Sequence, residues 1–278
     1  MNVRTSLAIL HSETDAPRLL DFALPFARRH ETHLIGLHAE ALPVVLTTPM
    51  EGPYLAVTAD MEAASAERHA RLHAMVEDRA RREGVSVEWR GYDSVSGDSA
   101  VSGIDSARSA DLVIALQNDP NGVASADVET LLFHSGRPVL FVPCTYSGGG
   151  APFKKALIAW NGSKEAARAA FDALPLLKEA GHVVVLTVDA PEEEGPGAGR
   201  NGTAIATALA RHGIEVTVLA KKSEKRSDVE TIIDAIAEAD ADLLVMGAFG
   251  RSRLAEFVFG GVTRSVLQMM PVPTLMSR

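Results

Sequence analysis

Cysteine occurs once in the 278 residues, at Cys144. A single cysteine rules out an intramolecular disulfide and a thiolate metal cluster. Aromatic residues are only 5% of the chain, so the core has to be built from Ala, Val, Leu and Ile. Basic residues are outnumbered, 27 Lys and Arg against 36 Asp and Glu, for a net charge of −9. Nonspecific nucleic-acid binding needs a basic surface that displaces counterions, so nucleic acid is not an expected partner. A small anionic ligand stays open, because backbone dipoles act locally whatever the net charge. No apolar run approaches the roughly 20 residues of a membrane helix, and none has the form of a signal peptide. The expectation is a cytoplasmic chain with no membrane partner. Also missing are a Gly-x4-Gly-Lys-(Ser/Thr) phosphate loop, a Gly-x-Ser-x-Gly nucleophile elbow and a clear acid/base pair. No catalytic residue is expected, and the chain does not read as an enzyme.

What is present is a repeat. Residues 6–10 (SLAIL) read as a strand, Pro17 to Arg29 as an amphipathic helix and Thr32 to Ala39 as a second strand. The same order recurs 150 positions later: a strand over 156–160, a helix from Glu165 to Lys178 and a strand over His182 to Val188. Ala23-Leu24-Pro25 falls on Ala173-Leu174-Pro175. Each proline is expected to kink its helix or end its first part. Further on, the first half predicts helices over 60–83, 98–110 and 126–134 and strands over 85–89, 111–116 and 138–142. The second predicts helices over 202–211 and 227–239, the latter opened by a Ser227-x-x-Glu230 capping box, and strands over 214–220 and 242–246. Ala110-Asp111-Leu112 resembles Ala241-Asp242-Leu243. Alternating strands and helices call for a parallel sheet covered on both faces. The organisation is therefore residues 1–146, a Gly-rich linker over 147–153, and residues 154–278. Two more stretches stand out, an apolar one from Leu42 to Thr58 and an acidic, Gly-rich one from Pro191 to Gly202.

One segment has the form of an anion cradle. The apolar run 243–246 ends at Gly247, and Gly250 follows. After a nine-residue interval come Gly260 and Gly261, and then Val262 and Thr263 open a helix. Glycines after a strand and before a helix let backbone N–H groups approach a phosphate closely. Turn chemistry and tight helix–sheet packing account for the same glycines without a ligand. Arg251, Arg253 and Arg264 flank the loop. Elsewhere His69, His73 and Glu77 share a helix face, but no metal site is expected from such a pair without further ligands. His11, His33 and His38 are expected near strand ends of the first half.

Gly247, Gly250 and Gly260, with their spacing and the repeated strand–helix order, resemble the universal stress protein family in its tandem form. The resemblance covers nearly the whole chain. It implies two open, mostly parallel five-stranded α/β domains of the adenine-nucleotide α-hydrolase-like kind. It also implies that the last strands of the two halves pair, leaving an internal pseudo-dimer that can dimerise again. It puts Asn161 at the family's acidic position after the first strand, and Val188 where backbone meets adenine. It assigns Gly247, Gly250, Gly260, Gly261, Val262 and Thr263 to the phosphate loop. Two positions depart. Asn161 is neutral, and Gly261 stands where Ser or Thr supplies a hydroxyl; Thr263 is the nearest substitute. The implied cofactor is ATP or another adenine nucleotide, with or without Mg2+, and the implied role is stress response or signalling through a protein partner. The other reading is a nucleotide-independent interaction protein whose glycine loop is purely structural. The first half has His11 and His38 at the matching positions and lacks the glycine motif, so it is expected to bind no nucleotide in that manner.

Overall fold

The computed structural model describes residues 3–41, 53–94, 97–121, 127–190, 201–250 and 261–278, with backbone alone for 53–59 and 61. Gly260, Arg251, Arg253, most of 42–58 and nearly all of the acidic 191–202 stretch lie outside these residues or their side-chain description.

The first half runs β1 (Thr5–Leu10), α1 (Ala16–His30), β2 (His33–Ala41), α2 (Pro53–Glu83), β3 (Val87–Ser94), α3 (Ser99–Ser102), α4 (Ile104–Arg108), β4 (Leu112–Leu116), α5 (Val128–His134) and β5 (Val139–Val142). The second runs β6 (Lys155–Ala159), α6 (Lys164–Asp172), α7 (Leu174–Glu179), β7 (His182–Val188), α8 (Thr203–Arg211), β8 (Glu215–Lys221), α9 (Asp228–Ala239), β9 (Leu243–Gly247), α10 (Val262–Met269) and β10 (Thr274–Ser277). All ten strands form one sheet in the order β3-β2-β1-β4-β5-β10-β9-β6-β7-β8.

Every pairing within a half is parallel. Crossover helices therefore cover both faces, which explains the continuous burial of β1, β4 and β7. Alternate residues divide between the faces: Ala8 and Leu10 join one apolar cluster, Leu7 and Ile9 the other. Each cluster draws on both halves. The repeat reaches polar detail. Asp111 accepts the N–H groups of Arg4 and Thr5 at 2.8 and 3.0 Å, and Asp242 accepts those of Lys154 and Lys155. Each aspartate thus ties the start of β4 or β9 to the start of its half's first strand.

Two helices differ from their sequence reading. The helix expected over 165–178 stops at Asp172 and restarts at Leu174, with Pro175 in the first turn of α7. That is where a missing N–H costs nothing. Pro25 at the matching register lies inside an unbroken α1, so only one of the two prolines ends a helix. The 98–110 segment likewise divides into α3 and α4 at Gly103.

The halves meet along an antiparallel seam, β5 against β10, with Leu275 opposite Leu140 and Thr274 opposite Phe141. This is the pairing of last strands that the resemblance implies. An ionic cluster closes the same junction. Arg29 Nε and His30 Nε2 lie 2.6 and 2.9 Å from the two carboxylate oxygens of Glu179. None of these contacts has hydrogen-bond alignment, so Arg29 holds Glu179 mainly by charge. Arg29 also donates to the linker carbonyl of Gly150 at 2.5 Å, and Tyr146 Oη accepts the Gly150 N–H. Glu179→Gln should cost about 1–2 kcal/mol, less than for a fully buried pair because all three side chains keep some solvent contact. Urea unfolding of the variant measures it, and an unchanged midpoint would show that the cluster adds nothing.

Candidate functional site

In a parallel sheet the helix after each strand starts at the strand's C-terminal end, so helix N-termini collect along one edge. In the second half β7 lies on one side of β6 and β9 on the other, which puts a topological switch point between β6 and β9. Ligand crevices form at such points. A cleft of about 770 Å³ opens there. Its size is in the range of small-molecule sites.

Of the eight residues singled out from sequence, seven line this cleft: Asn161, Val188, Gly247, Gly250, Gly261, Val262 and Thr263. The eighth, Gly260, lies outside the described residues. Asn161 follows β6, and its Oδ1 accepts the Ser163 N–H at 3.0 Å. The oxygen is thus spent on the turn into α6, which leaves the amide N–H2 for a ligand acceptor. Val188 is the last residue of β7. Gly247 ends β9, directly against the start of α6: a Cβ there would sit 2.4 Å from Ala166 N and 2.6 Å from the Glu165 carbonyl carbon. Packing alone therefore requires this glycine. Gly250 is different. Among the described residues the nearest atoms a Cβ there would meet are in side chains, Glu165 Oε2 at 3.2 Å and Ser163 Oγ at 3.6 Å.

Thr263 lies in the first turn of α10, where its hydroxyl oxygen accepts the Phe249 N–H at 3.1 Å. It ties the loop after β9 to the helix and keeps its own proton for donation. Phe249 holds a left-handed backbone, φ 52°, unusual for a residue with a Cβ. Its ring is buried against Phe133 of α5, with centroids 4.3 Å apart. Arg264 lies in the first turn of α10. Its guanidinium pairs with both carboxylate oxygens of Glu129 on α5.

Sequence reading missed Trp160, Ser163, Ser227 and Asp228, which also line the wall. Ser227 was legible only as a helix cap. It is one: its Oγ accepts the Glu230 N–H, and Glu230 reaches back to the Ser227 N–H. These bonds hold the Glu230 carboxyl below the usual range. Nothing in the cap itself told that α9 begins at the cleft.

The corresponding place in the first half is a pocket of about 360 Å³ lined by His11, His38, Glu40 and Arg68 among others. Its charges are spent internally. Glu40 takes Arg68 and the Nε2 of His38, whose Nδ1 meets the Leu10 carbonyl at 2.8 Å, and Glu13 takes Arg71. Burial of His11 drives its pKa down to about 4, against the opposing pull of Asp98 and Asp15. His33 is not part of this group. It starts β2, at the opposite edge of the sheet, and pairs with Glu88. On α2, His69 Nε2 accepts the Trp89 indole N–H and the His73 ring stacks on that indole. Among the described residues no group of three His, Cys, Asp or Glu is placed to hold a metal, and no helix is long and apolar enough to cross a membrane.

Fold and cleft together define a tandem open-sheet α/β protein with a glycine-lined crevice at the switch point of its second half. Residues 152–278 match the model of the universal stress protein family, and that half of the chain belongs to it. The whole chain shares its fold with solved structures. A universal stress protein from Archaeoglobus fulgidus DSM 4304 aligns over 98% of this chain and 96% of its own, at 16% identity and a TM-score of 0.67. A putative universal stress protein from Pseudomonas aeruginosa UCBPP-PA14 aligns over 99% and 93%, at 17% identity and 0.57. No curated protein sequence matches significantly.

Proposed function

We propose that the second-half cleft binds an adenine nucleotide, ATP or a close relative, and that occupancy is a stress-response or signalling state read by a protein partner. The observation that carries this reading is convergence. Asn161, Val188, Gly250 and the N-terminus of α10 come from four separate segments, yet they line one crevice at the switch point. An apolar wall of Val188, Val229 and Ile232 suits a base, and the N-terminal N–H groups of α10 suit a phosphate. A Mg2+ carried by the phosphates would find the Asp228 carboxylate in the wall, which is enough for an ion that keeps most of its ligands as water and phosphate. The reading is of binding, with hydrolysis slow or absent.

The second reading, a nucleotide-independent interaction protein, is favoured by one observation. The contacts at Gly247 explain that glycine by packing alone. Calorimetric titration with ATP separates the two. Saturable heat is expected for the intact protein, lost or weakened in Gly250→Val. A flat titration, with no nucleotide mass in native mass spectrometry of the purified protein, would leave the second reading standing.

A further inference from the structure

Gln117 holds the place in the first half that Ala248 holds in the second. Both follow the strand next to the seam strand. Gln117 N–H bonds to Val142 O at 2.8 Å, and Ala248 N–H bonds to Ser277 O at 2.8 Å. Where the second half opens its glycine loop, the first half has a buried amide, 5% exposed. That amide crosses the seam. Gln117 Nε2 donates to Leu267 O at 2.7 Å and to Gln268 O at 3.1 Å, in the last turn of α10, and Gln117 Oε1 accepts the Cys144 N–H at 3.0 Å.

The last carbonyls of a helix have no partner within it. After α10 come Pro271 and Pro273, which have no N–H to offer, and Met270 leaves the helix with an extended ψ of 105°. The other half of the chain meets this need through Gln117. Two further contacts run the same way. Glu129 of α5 pairs with Arg264 in the first turns of α10 at 3.1 Å, and Phe133 of α5 covers Phe249 in the loop. The helix whose N-terminus faces the cleft is thus fastened from the first half at its C-terminal end and near its N-terminal end. The loop beside it is fastened at its left-handed residue.

We infer that the first half acts as the scaffold of the second-half cleft, with Gln117, Glu129 and Phe133 as positioning residues for α10 and the Phe249 loop. None of the three lines the cleft. The inference rests on the nucleotide reading above for its binding arm only. It also gives the half without a glycine motif a task other than a second site.

Two measurements on the full chain test it. Hydrogen exchange of amides 262–270 should be faster in Gln117→Met, which keeps the side-chain length and loses all three bonds, and in Glu129→Gln, which is a surface change that leaves the core intact. Calorimetric ATP affinity should fall in both variants by roughly three- to thirtyfold, the scale of coupling through positioning groups. Gln117→Glu adds a signature that a mere packing defect lacks. Its affinity relative to the intact protein should recover as pH falls from 8 to 5, because the protonated acid donates to a carbonyl as the amide does. The intact protein titrated at each pH cancels changes in the ligand. Unchanged exchange over 262–270 in both variants overturns the inference, as does unchanged ATP affinity. If the intact protein takes up no ATP, the nucleotide reading fails by itself, and the exchange result still decides this one.

Discussion

Gly247→Ala should lower stability by about 3 kcal/mol, while Gly250→Ala should stay within about 1 kcal/mol of the intact protein. At Gly247 the added methyl meets backbone, Ala166 N at 2.4 Å and Glu165 C at 2.6 Å, and neither can move without dislodging the start of α6 from β9. At Gly250 the nearest atom is the end of the Glu165 side chain, which can swing by a few tenths of an ångström. The two glycines look alike in a motif and do different physical work. Urea unfolding gives the stability difference, and ATP titration of Gly250→Val gives the functional one, since a branched side chain there crowds Ser163 in the cleft wall. Equal destabilisation at both positions would contradict the packing described. Full ATP binding by a stable Gly250→Val protein would argue that the glycine motif serves architecture throughout.

The protein should lose stability in acid through His11. Its folded pKa is about 4, against an ordinary value of 6.5, because burial disfavours the imidazolium and nearby His38 adds to the effect. Although the residue as a whole keeps some solvent contact, both ring nitrogens are covered and have no hydrogen-bond partner among the described residues. The unfolded chain therefore takes up the proton first as pH falls. The stabilisation held above pH 6.5 drains away between about 6.5 and 4, approaching roughly 3 kcal/mol in total, and the loss then levels off once both states are protonated. His11→Gln cannot titrate and should flatten this part of the profile. Urea midpoints at pH 7.5 and 4.5 measure it, with an NMR titration of the ring alongside. If the two proteins lose the same stability over that interval, His11 is not the group responsible.

How far the site was legible depends on the range of the interactions involved. Asn161 and Val188 were placed only through the family resemblance, whereas Gly247 and Gly250 could be found because their spacing follows a strand end, which short-range hydrophobic periodicity marks. The Ser227 cap was legible for the same reason, since its whole mechanism lies within four residues. Ser163, Trp160 and Asp228 were not, because what makes them cleft residues is the ordering of β6, β7 and β9, which no local pattern records. Gln117 was hidden more deeply. In sequence it is a polar residue after a strand, and its three partners are 27, 150 and 151 positions away.

The prolines mark the same limit. Pro25 and Pro175 occupy one register of the repeat, yet α1 continues through the first and α7 begins at the second. Backbone chemistry constrains both alike. Packing chooses between them, with Pro25 lying under the linker at Gly150.

By itself, then, the sequence determined the repeat, the parallel α/β class and the place of the glycine loop. These rest on periodicity, turn chemistry and composition, all of which act over a few residues. The tertiary structure alone decided that Gly247 is a packing glycine and that α10 is fastened from the other half. Those outcomes depend on which distant backbone atoms come within 3 Å of each other, and that is settled only when the whole chain has folded.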